Sequence, residues 1–222
     1  MAATYAGLTF ERLGHASVRI ETDEGYVVYI DPWSEVMDGE PGDADLVIVT
    51  HDDFDHYDPT GIDAVTTAGT TVVAYDGIDT AELSEPVQAI GMREGMTVDG
   101  IEIETLPAYN KPDGPHVDDD GAPFHAEGEV IGVLLTIDET TVYFTSDTDF
   151  LEAELADVTA DVFIPPIGGH YTMDRHEAAA FAEQLEPSLV LPVHYDTFAA
   201  IETDAEAFKA DLEDDGIDVK LF

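Results

Sequence analysis

The chain has 222 residues, 44% of them hydrophobic, so it is long enough and apolar enough to fold around a substantial core. Its 50 Asp and Glu against 7 Lys and Arg give a net charge of -43, which disfavours polyanionic partners, nucleic acids above all. It has no cysteine, which excludes disulfides, thiolate metal ligands and a cysteine nucleophile.

The acidity also predicts the solvent in which the chain folds. Repulsion among so many carboxylates destabilises a compact state unless salt screens it, and the screening length falls to about 3 Å at molar salt. We therefore interpret the sequence as that of a halophile, adapted to a very salty cytoplasm. The alternative is an acidic protein from an ordinary cell.

The sequence predicts a cytoplasmic protein with no membrane partner. Residues 1–12 lack a basic segment followed by an apolar core, which a secretory signal requires. The longest apolar run, 130–137, is too short to span a bilayer.

The chain opens with short strands separated by turn residues. Gly14-His15 and Asp23-Glu24-Gly25 interrupt runs of apolar and β-branched residues, a pattern typical of hairpins. A polar loop, 34–44, follows. The predicted strands are 7–13, 17–22 and 26–31.

Residues 45–59 carry the strongest local signal. The apolar run 46–49 is typical of a strand buried on both faces, and Asp58-Pro59 then predicts the start of a helix. Imidazole and carboxylate groups at the end of a rigid strand favour a borderline cation such as zinc or manganese. The alternative is a solvated acidic loop with two incidental histidines. The ligand-type residues between strand and helix are His51, Asp52, Asp53, Asp55 and His56.

The rest of the chain mixes strands with helices, which predicts packed sheets covered by helices. Residues 107–128 are rich in Pro, Gly and Asp and show no periodicity, so we predict an active-site loop or lid there. The predicted helices are near 59–67, 79–83, 174–185 and 203–214, and the predicted strands are 71–75, 87–90, 101–106, 130–137, 141–145, 162–167, 189–193 and 219–222.

Ligand-type residues recur at the ends of apolar strands. The runs 46–49, 142–145 and 189–193 lead into His51, Asp147 and His194 respectively, and His125 lies just before another strand. Side chains gathered from the ends of several core strands are how a rigid fold builds a site.

These motifs, in this order, resemble the metallo-β-lactamase superfamily, and more closely its ascorbate-6-phosphate-lactonase-like branch of small hydrolases. The resemblance covers residues 14 to 197. It implies an α/β (α+β) fold, a four-layer αββα sandwich in a single domain over 1–222, with a binuclear metal site at one edge of the two sheets. The motifs are His51-x-Asp53-x-Asp55-His56, His125, Ser146-Asp147-Thr148-Asp149 and Pro192-Val193-His194-Tyr195, supported by 14–17, 30–32, 107–110 and 166–173.

The resemblance also implies a ligand set and two divalent metal ions, with zinc expected first and manganese or iron as alternatives. The chain departs from the family at residue 53, where Asp stands in place of the usual His, and a charged, harder ligand weakens the preference for zinc. The implied ligands are His51, Asp53 and His125 for the first metal, Asp55, His56 and His194 for the second, and Asp147 bridging the two.

The implied activity is hydrolysis of a small ester, lactone or phosphate-bearing metabolite by a metal-bridged hydroxide, with Asp55 as the catalytic acid and base. One alternative is a phosphodiesterase or nuclease on the same fold, which the small number of basic residues disfavours. Another is a non-catalytic metal-binding protein that lost turnover through the change at residue 53. A small-molecule substrate is the expected partner, and self-association stays open.

Other polar residues receive weaker assignments. His15 and His170 match positions that the resemblance places near the cleft, in a supporting or substrate-binding role, and Asn110 is a candidate hydrogen-bond donor to substrate. We expect His116 to be a solvated residue of the loop and His176 to be exposed and inert.

Overall fold

The first half of the chain builds one mixed sheet, described here from a computed structural model that covers residues 2–222. Its seven strands follow one another in chain order across the sheet. The first four pair antiparallel through short turns, and the last four pair in parallel. The strands are β1 Ala2–Tyr5, β2 Leu8–Gly14, β3 Ser17–Thr22, β4 Val27–Ile30, β5 Leu46–Val49, β6 Thr71–Tyr75 and β7 Val87–Ile90, with helix α1 Pro59–Val65 between β5 and β6.

The second half builds another seven-stranded sheet with the chain order reversed across it. Its first four strands pair antiparallel, whereas its last four pair in parallel. The strands are β8 Gly95–Val98, β9 Ile101–Ala108, β10 Val130–Ile137, β11 Thr140–Phe144, β12 Val162–Ile164, β13 Leu189–Val190 and β14 Asp218–Val219. The helices are α2 Arg175–Leu185, the short 3-10 helix Ala199–Ile201 and α3 Ala205–Asp214.

Successive side chains along a strand of the second sheet belong alternately to two separate buried clusters. Val162 and Ile164 of β12 join an apolar core that includes residues of both sheets, whereas Phe163 between them belongs to a second cluster with α2 and α3. The ring of Phe163 lies 4.9 Å from that of Phe181 on α2. Successive strand residues point to opposite faces, so one face packs on the other sheet and the opposite face on helices. The predicted αββα sandwich is confirmed.

Local sequence signals set the starts of two helices. Asp58 caps α1 by accepting from the backbone amide of Thr60, and proline occupies the first turn. Asp174 caps α2 in a reciprocal capping box with Glu177. The predicted strands 71–75 and 87–90 coincide with β6 and β7.

Several predicted elements differ from the structure. The predicted helix at 79–83 is wrong: these residues form turns and are mostly exposed, because no apolar face exists there to pack. The edge strands β1 and β8 were not predicted from their short, weakly alternating sequences. The strands predicted at 162–167 and 189–193 leave the sheet early, since proline at 165, 166 and 192 has no amide to donate. Among residues 2–222, no helix is long and apolar enough to cross a membrane.

Candidate metal centre

The carboxyl ends of strands from both sheets meet at one place. Asp31 directly follows β4, β5 leads into His51, and the segments after β11 and β13 carry Asp147 and His194. His125 arrives from the long loop that precedes β10. The sheets thus deliver ligand-type side chains to one point from four strands and a loop, as the recurring pattern of strand ends predicts.

Backbone strain concentrates at this point. Four non-glycine residues around the site have left-handed φ angles: His15 at 50°, Asp31 at 46°, Ser146 at 57° and His194 at 52°. Such a conformation costs on the order of 1–3 kcal/mol per residue and persists where the surroundings impose it, commonly at functional sites. The strain turns these residues out of the strand direction and is a local signature of function.

Asp147 lies at the centre of the cluster. Its Oδ2 is 3.2 Å from Nε2 of His194 and 3.6 Å from Nε2 of His125, and its Oδ1 is 3.4 Å from Nε2 of His56. The ligand atoms of His51, His125 and Asp147 all lie within 4.8 Å of one another. A second such group, with the same spacing, is His15, Asp55, His56 and His194.

The buried polar atoms of this cluster fit a cation. Nε2 of His51, Nε2 of His56 and Oδ1 of Asp147 are buried and make no hydrogen bond, although carboxylates or imidazoles lie close by. Buried polar atoms in proteins are nearly always paired, because an unpaired one loses its hydration without compensation. Unpaired nitrogens and a carboxylate oxygen facing one centre are the donor set that a borderline divalent metal takes.

Hydrogen bonds on the far side of two imidazoles fix which nitrogen faces the centre. Nδ1 of His56 donates to Oδ2 of Asp31 at 2.8 Å, and Nδ1 of His125 donates to Oδ1 of Asn110 at 3.1 Å. Each contact leaves Nε2 free. Metal-binding histidines in proteins carry such partners, which set the tautomer and the ring orientation.

The hydroxyl of Thr50 orients the ring of His51 in the same way. Its Nδ1 is 3.0 Å from Oγ1 of Thr50, and that hydroxyl donates in turn to Asp31 at 2.7 Å. Asp31 therefore orients two rings, one directly and one through Thr50. We did not assign it a site role from the sequence, although its place after a predicted apolar strand and in the motif 30–32 was a usable signal.

The environment sets the protonation of the cluster. Burial lowers the pKa of His15 to about 4, and burial together with neighbouring His56 lowers that of His51 well below its ordinary value. Burial alone would lower the pKa of His56. Neighbouring carboxylates, of which Asp147 has the largest effect, outweigh burial and raise that pKa well above its usual range. Burial would raise the pKa of Asp147 and Asp55, yet adjacent histidines lower it, to about 2 for Asp55. The carboxylates are therefore ionised at neutral pH, as metal ligands must be.

The remaining predicted residues occupy different positions. Asp53 lies at the mouth with 53% of its side chain exposed, its Oδ2 3.2 Å from Nε2 of His125 and 3.8 Å from Nε2 of His51. Nε2 of His15 is 3.0 Å from Oδ2 of Asp55. Asn110 is buried behind His125 rather than facing the cavity. His170 is exposed, packs on Phe124 and lies outside both ligand groups.

The expectation that His116 is solvated is wrong. It is only 5% exposed, and its Nδ1 lies 2.6 Å from Oδ1 of Asp149. Asp149 also accepts from the amide of Asn110 and from the backbone of Lys111, so one buried carboxylate ties down the loop predicted at 107–128. His176 is exposed, as predicted.

A cavity of about 320 Å³ opens onto the cluster. Carboxylates and imidazoles form its floor, and aromatic rings form its walls. The sequence analysis missed these rings, because single aromatic residues in polar loops carry no periodic signal. The lining residues are Asp53, Phe54, Asp55, Phe124, His125, Asp147, Tyr171, His194 and Phe198.

We expect Asp31→Asn to weaken metal binding about 10- to 100-fold, the usual cost of losing the partner that orients a ligand imidazole. Asparagine keeps an oxygen for the amide of Thr50 but loses the charge beside His56. Competition with a chromophoric chelator measures the change. Asp45→Asn is the matched control, since Asp45 also accepts a backbone amide, that of Val27, at the opposite end of β5. Equal affinities in the two variants would contradict a role for Asp31.

Two packed mixed sheets with a histidine and aspartate cluster at their strand ends define the class, a metallo-β-lactamase fold with a candidate metal site. Comparison with known proteins gives the family. The model of the beta-lactamase superfamily domain matches residues 9–194. A UPF0173 metal-dependent hydrolase from Pyrococcus furiosus is 37% identical over 209 residues, covering 89% of this chain and 88% of that protein. The chain belongs to the metallo-β-lactamase superfamily and, within it, to the UPF0173 metal-dependent hydrolases.

Solved structures agree over nearly the whole chain. A protein from Parabacteroides distasonis superposes with a TM-score of 0.83 at 28% identity, covering 99% of this chain and 97% of that one. The metallo hydrolase Igni18 from Ignicoccus hospitalis gives a TM-score of 0.78 at 28% identity, covering 97% of this chain and 94% of that one. The family of metal-dependent hydrolases and the fold are thus shown.

Proposed function

We propose that the protein is a binuclear metal-dependent hydrolase of a small metabolite that contains an ester, lactone or phosphate group, as in the ascorbate-6-phosphate-lactonase-like branch. The central position of Asp147 carries the proposal. Its two oxygens face imidazoles on both sides, His125 on one side and His56 on the other. A carboxylate in that position would be able to hold two cations, whereas a single metal would leave one ligand group unused.

Donor side chains are available for both proposed metal positions. Zinc is the expected metal, with manganese or iron as alternatives favoured by the additional carboxylate of Asp53. We assign His51, Asp53 and His125 to the first metal position and Asp55, His56 and His194 to the second, with Asp147 between them. The close grouping of His51, His125 and Asp147, and that of Asp55, His56 and His194, supports this assignment, and Oδ2 of Asp53 lies 3.2 Å from Nε2 of His125.

When bound, two such cations polarise the bond under attack and make water acidic enough to react near neutral pH. The protein's own residues orient that reaction. Asp55 lines the cavity, is ionised at neutral pH and accepts a hydrogen bond from an attacking water molecule. For an ester, the oxygen of water adds to the carbonyl carbon and the carbon–oxygen bond to the alcohol breaks. The proton passes through Asp55 to the leaving oxygen.

We assign buried His15 a positioning role beside Asp55, exerted by close contact and not by a hydrogen bond. Its Nε2 lies 3.0 Å from Oδ2 of Asp55, and its ring packs 4.1 Å from that of His194. Because burial keeps the pKa of His15 at about 4, the imidazole is neutral at working pH. It therefore positions the carboxylate without adding a charge to the site.

The test is metal analysis of the purified protein together with a panel of esters, lactones and phosphate esters, assayed with and without a chelator in molar potassium chloride. We expect two metals per chain and hydrolysis that chelation abolishes. Full activity after removal of all metal would refute the mechanism. Two bound metals with no turnover of any substrate would support a non-catalytic metal-binding protein instead.

Asp53 provides the sharpest test of the two-metal assignment. We expect Asp53→Ala to lose about one metal per chain, and Asp53→His to keep two and shift the preference from manganese towards zinc. Asp52→Ala is the control, because Asp52 is the exposed neighbour in the same loop. If Asp53→Ala keeps both metals while His170→Ala or His116→Ala loses one, the ligand assigned at residue 53 is wrong.

A further inference from the structure

The cavity above the metal centre has no positively charged side chain in its lining. The chain has seven Lys and Arg, and most of them are committed elsewhere. Arg12 donates to the backbone oxygens of His15 and Tyr195 and stacks on the Tyr195 ring. Among the others, Arg19, Arg93, Arg175, Lys209 and Lys220 pair with carboxylates, and the side chain of Lys111 is exposed outside the cavity.

Carboxylates also reduce the charge that bound metals would bring. Asp53, Asp55 and Asp147 line the cavity, so three negative charges offset three of the four positive charges of two divalent cations. A phosphate dianion needs charge-assisted donors such as arginine or lysine to be held tightly. The cavity offers it little beyond the metals themselves.

The walls of the cavity are aromatic instead. On one side, Phe54 lies edge-on to Trp33 at 5.8 Å, and Trp33 lies 6.0 Å from Phe198. On the other side, Phe124 meets Tyr171 edge-on at 4.9 Å. Phe54, Phe124, Tyr171 and Phe198 all line the same cavity.

Apart from its edge-on contact with Trp33, the ring of Phe54 is open to solvent. It is 68% exposed and is the exposed large hydrophobic residue among residues 2–222. It stands between the candidate ligands Asp53 and Asp55 and lines the cavity beside the candidate metal centre. A single exposed ring would be ordinary, but Phe54 joins three other aromatic rings in the lining of one cavity, and a contiguous apolar surface of this kind favours binding of an apolar group.

We infer that the substrate is an uncharged ester or lactone that carries an aromatic or similarly flat apolar group next to the bond that is cleaved, and not a phosphate ester. This inference rests on the proposed hydrolase function and narrows its substrate class. The apolar group packs between the aromatic walls, and the carbonyl faces the ligand cluster.

Binding can be tested without turnover, because Trp33 is the single tryptophan of the chain and packs behind one wall, edge-on to Phe54. We expect phenylacetamide, an uncharged and unreactive probe, to change the tryptophan fluorescence of the metal-loaded protein in a saturable way. Phenyl phosphate should bind at least about tenfold more weakly, and acetamide should give no saturable change. Molar salt screens the surface charge, so discrimination measured there comes from the cavity itself.

Variants then test the walls. Phe54→Ala and Phe198→Ala should each weaken phenylacetamide binding and raise KM for methyl phenylacetate by about three- to tenfold, the size of one lost aromatic contact. We expect kcat and metal content to stay within about twofold of the parent, as fits a contact that binds the substrate's apolar group. Phe222→Ala, a half-buried ring at the chain end, is the control.

The outcomes separate the two proposals. Stronger binding of phenyl phosphate, or unchanged binding in both wall variants, overturns the substrate class. A different result would overturn the hydrolase function: the probes bind in the expected order, but the metal-loaded protein hydrolyses neither methyl phenylacetate nor any other ester. The inferred ligand class would then still hold.

Discussion

Alanine at His51, His56 or His194 is expected to lower hydrolysis by a factor of about 1,000 or more and to reduce bound metal. Each of these imidazoles is buried and belongs to a group of ligand-type atoms within 4.8 Å of one another. Removing one imidazole leaves an open coordination position, which the remaining carboxylates cannot fill with the same geometry. Metal analysis and kcat/KM on the best substrate measure both effects.

The three variants should differ in stability. His56→Ala leaves the buried carboxylates of Asp31 and Asp147 without the imidazole that lies between them. An uncompensated buried charge costs on the order of 3–5 kcal/mol, so we expect this variant to melt lowest of the three. Circular dichroism melts separate loss of fold from loss of metal.

His176→Ala is the internal control for this series. His176 is exposed on α2, far from any of the ligand groups, and its removal should change neither metal content nor turnover. A ligand variant that stays folded and keeps full activity would remove that histidine from the site.

The sequence predicted the strand and ligand loop at 46–59 well, because the signals there are local. An apolar run specifies the buried strand β5, and Asp58-Pro59 specifies the start of α1. Both depend on neighbours a few residues away, which a single sequence contains in full. The resemblance then supplied the spatial grouping of residues far apart in the chain, which spacing alone does not give.

The supporting contacts could not be predicted in the same way. Asp31 reaches His56 across 25 residues, and Asp149 reaches Asn110 across 39. No periodic pattern encodes such pairs. In so acidic a chain, the sequence does not distinguish a buried aspartate from the many exposed ones. The aromatic walls of the cavity could not be predicted for a related reason. Phe54 and Phe198 are single rings in separate loops, and only the fold brings them to one cavity.

Folding is expected to require high salt. The charge of -43 leaves most carboxylates without a cationic partner, and some of the few Lys and Arg side chains are already shared among several carboxylates. Arg19 alone contacts Glu11, Glu21 and Asp43. Only dissolved cations can screen the remaining repulsion, which favours the expanded chain at low ionic strength.

The size of the salt effect follows from the chain length. A change of 1 kcal/mol moves Tm by about 2–4 °C in a protein of this size, so screening worth a few kcal/mol raises Tm by about 10 °C or more. Thermal melts at fixed metal content, from about 0.1 M to about 3 M potassium chloride, measure it across the range in which the Debye length shrinks from about 10 Å to below 3 Å.

Sorbitol at matched osmolarity is the control, because it strengthens burial by exclusion from the surface without screening charge. We expect it to recover only a small part of the increase produced by potassium chloride. A Tm that stays flat in potassium chloride would end the halophile interpretation, and an equal rise in sorbitol would assign the effect to exclusion. A steep rise in the salt series alone is the outcome that electrostatic screening demands, since 7 Lys and Arg cannot neutralise 50 Asp and Glu.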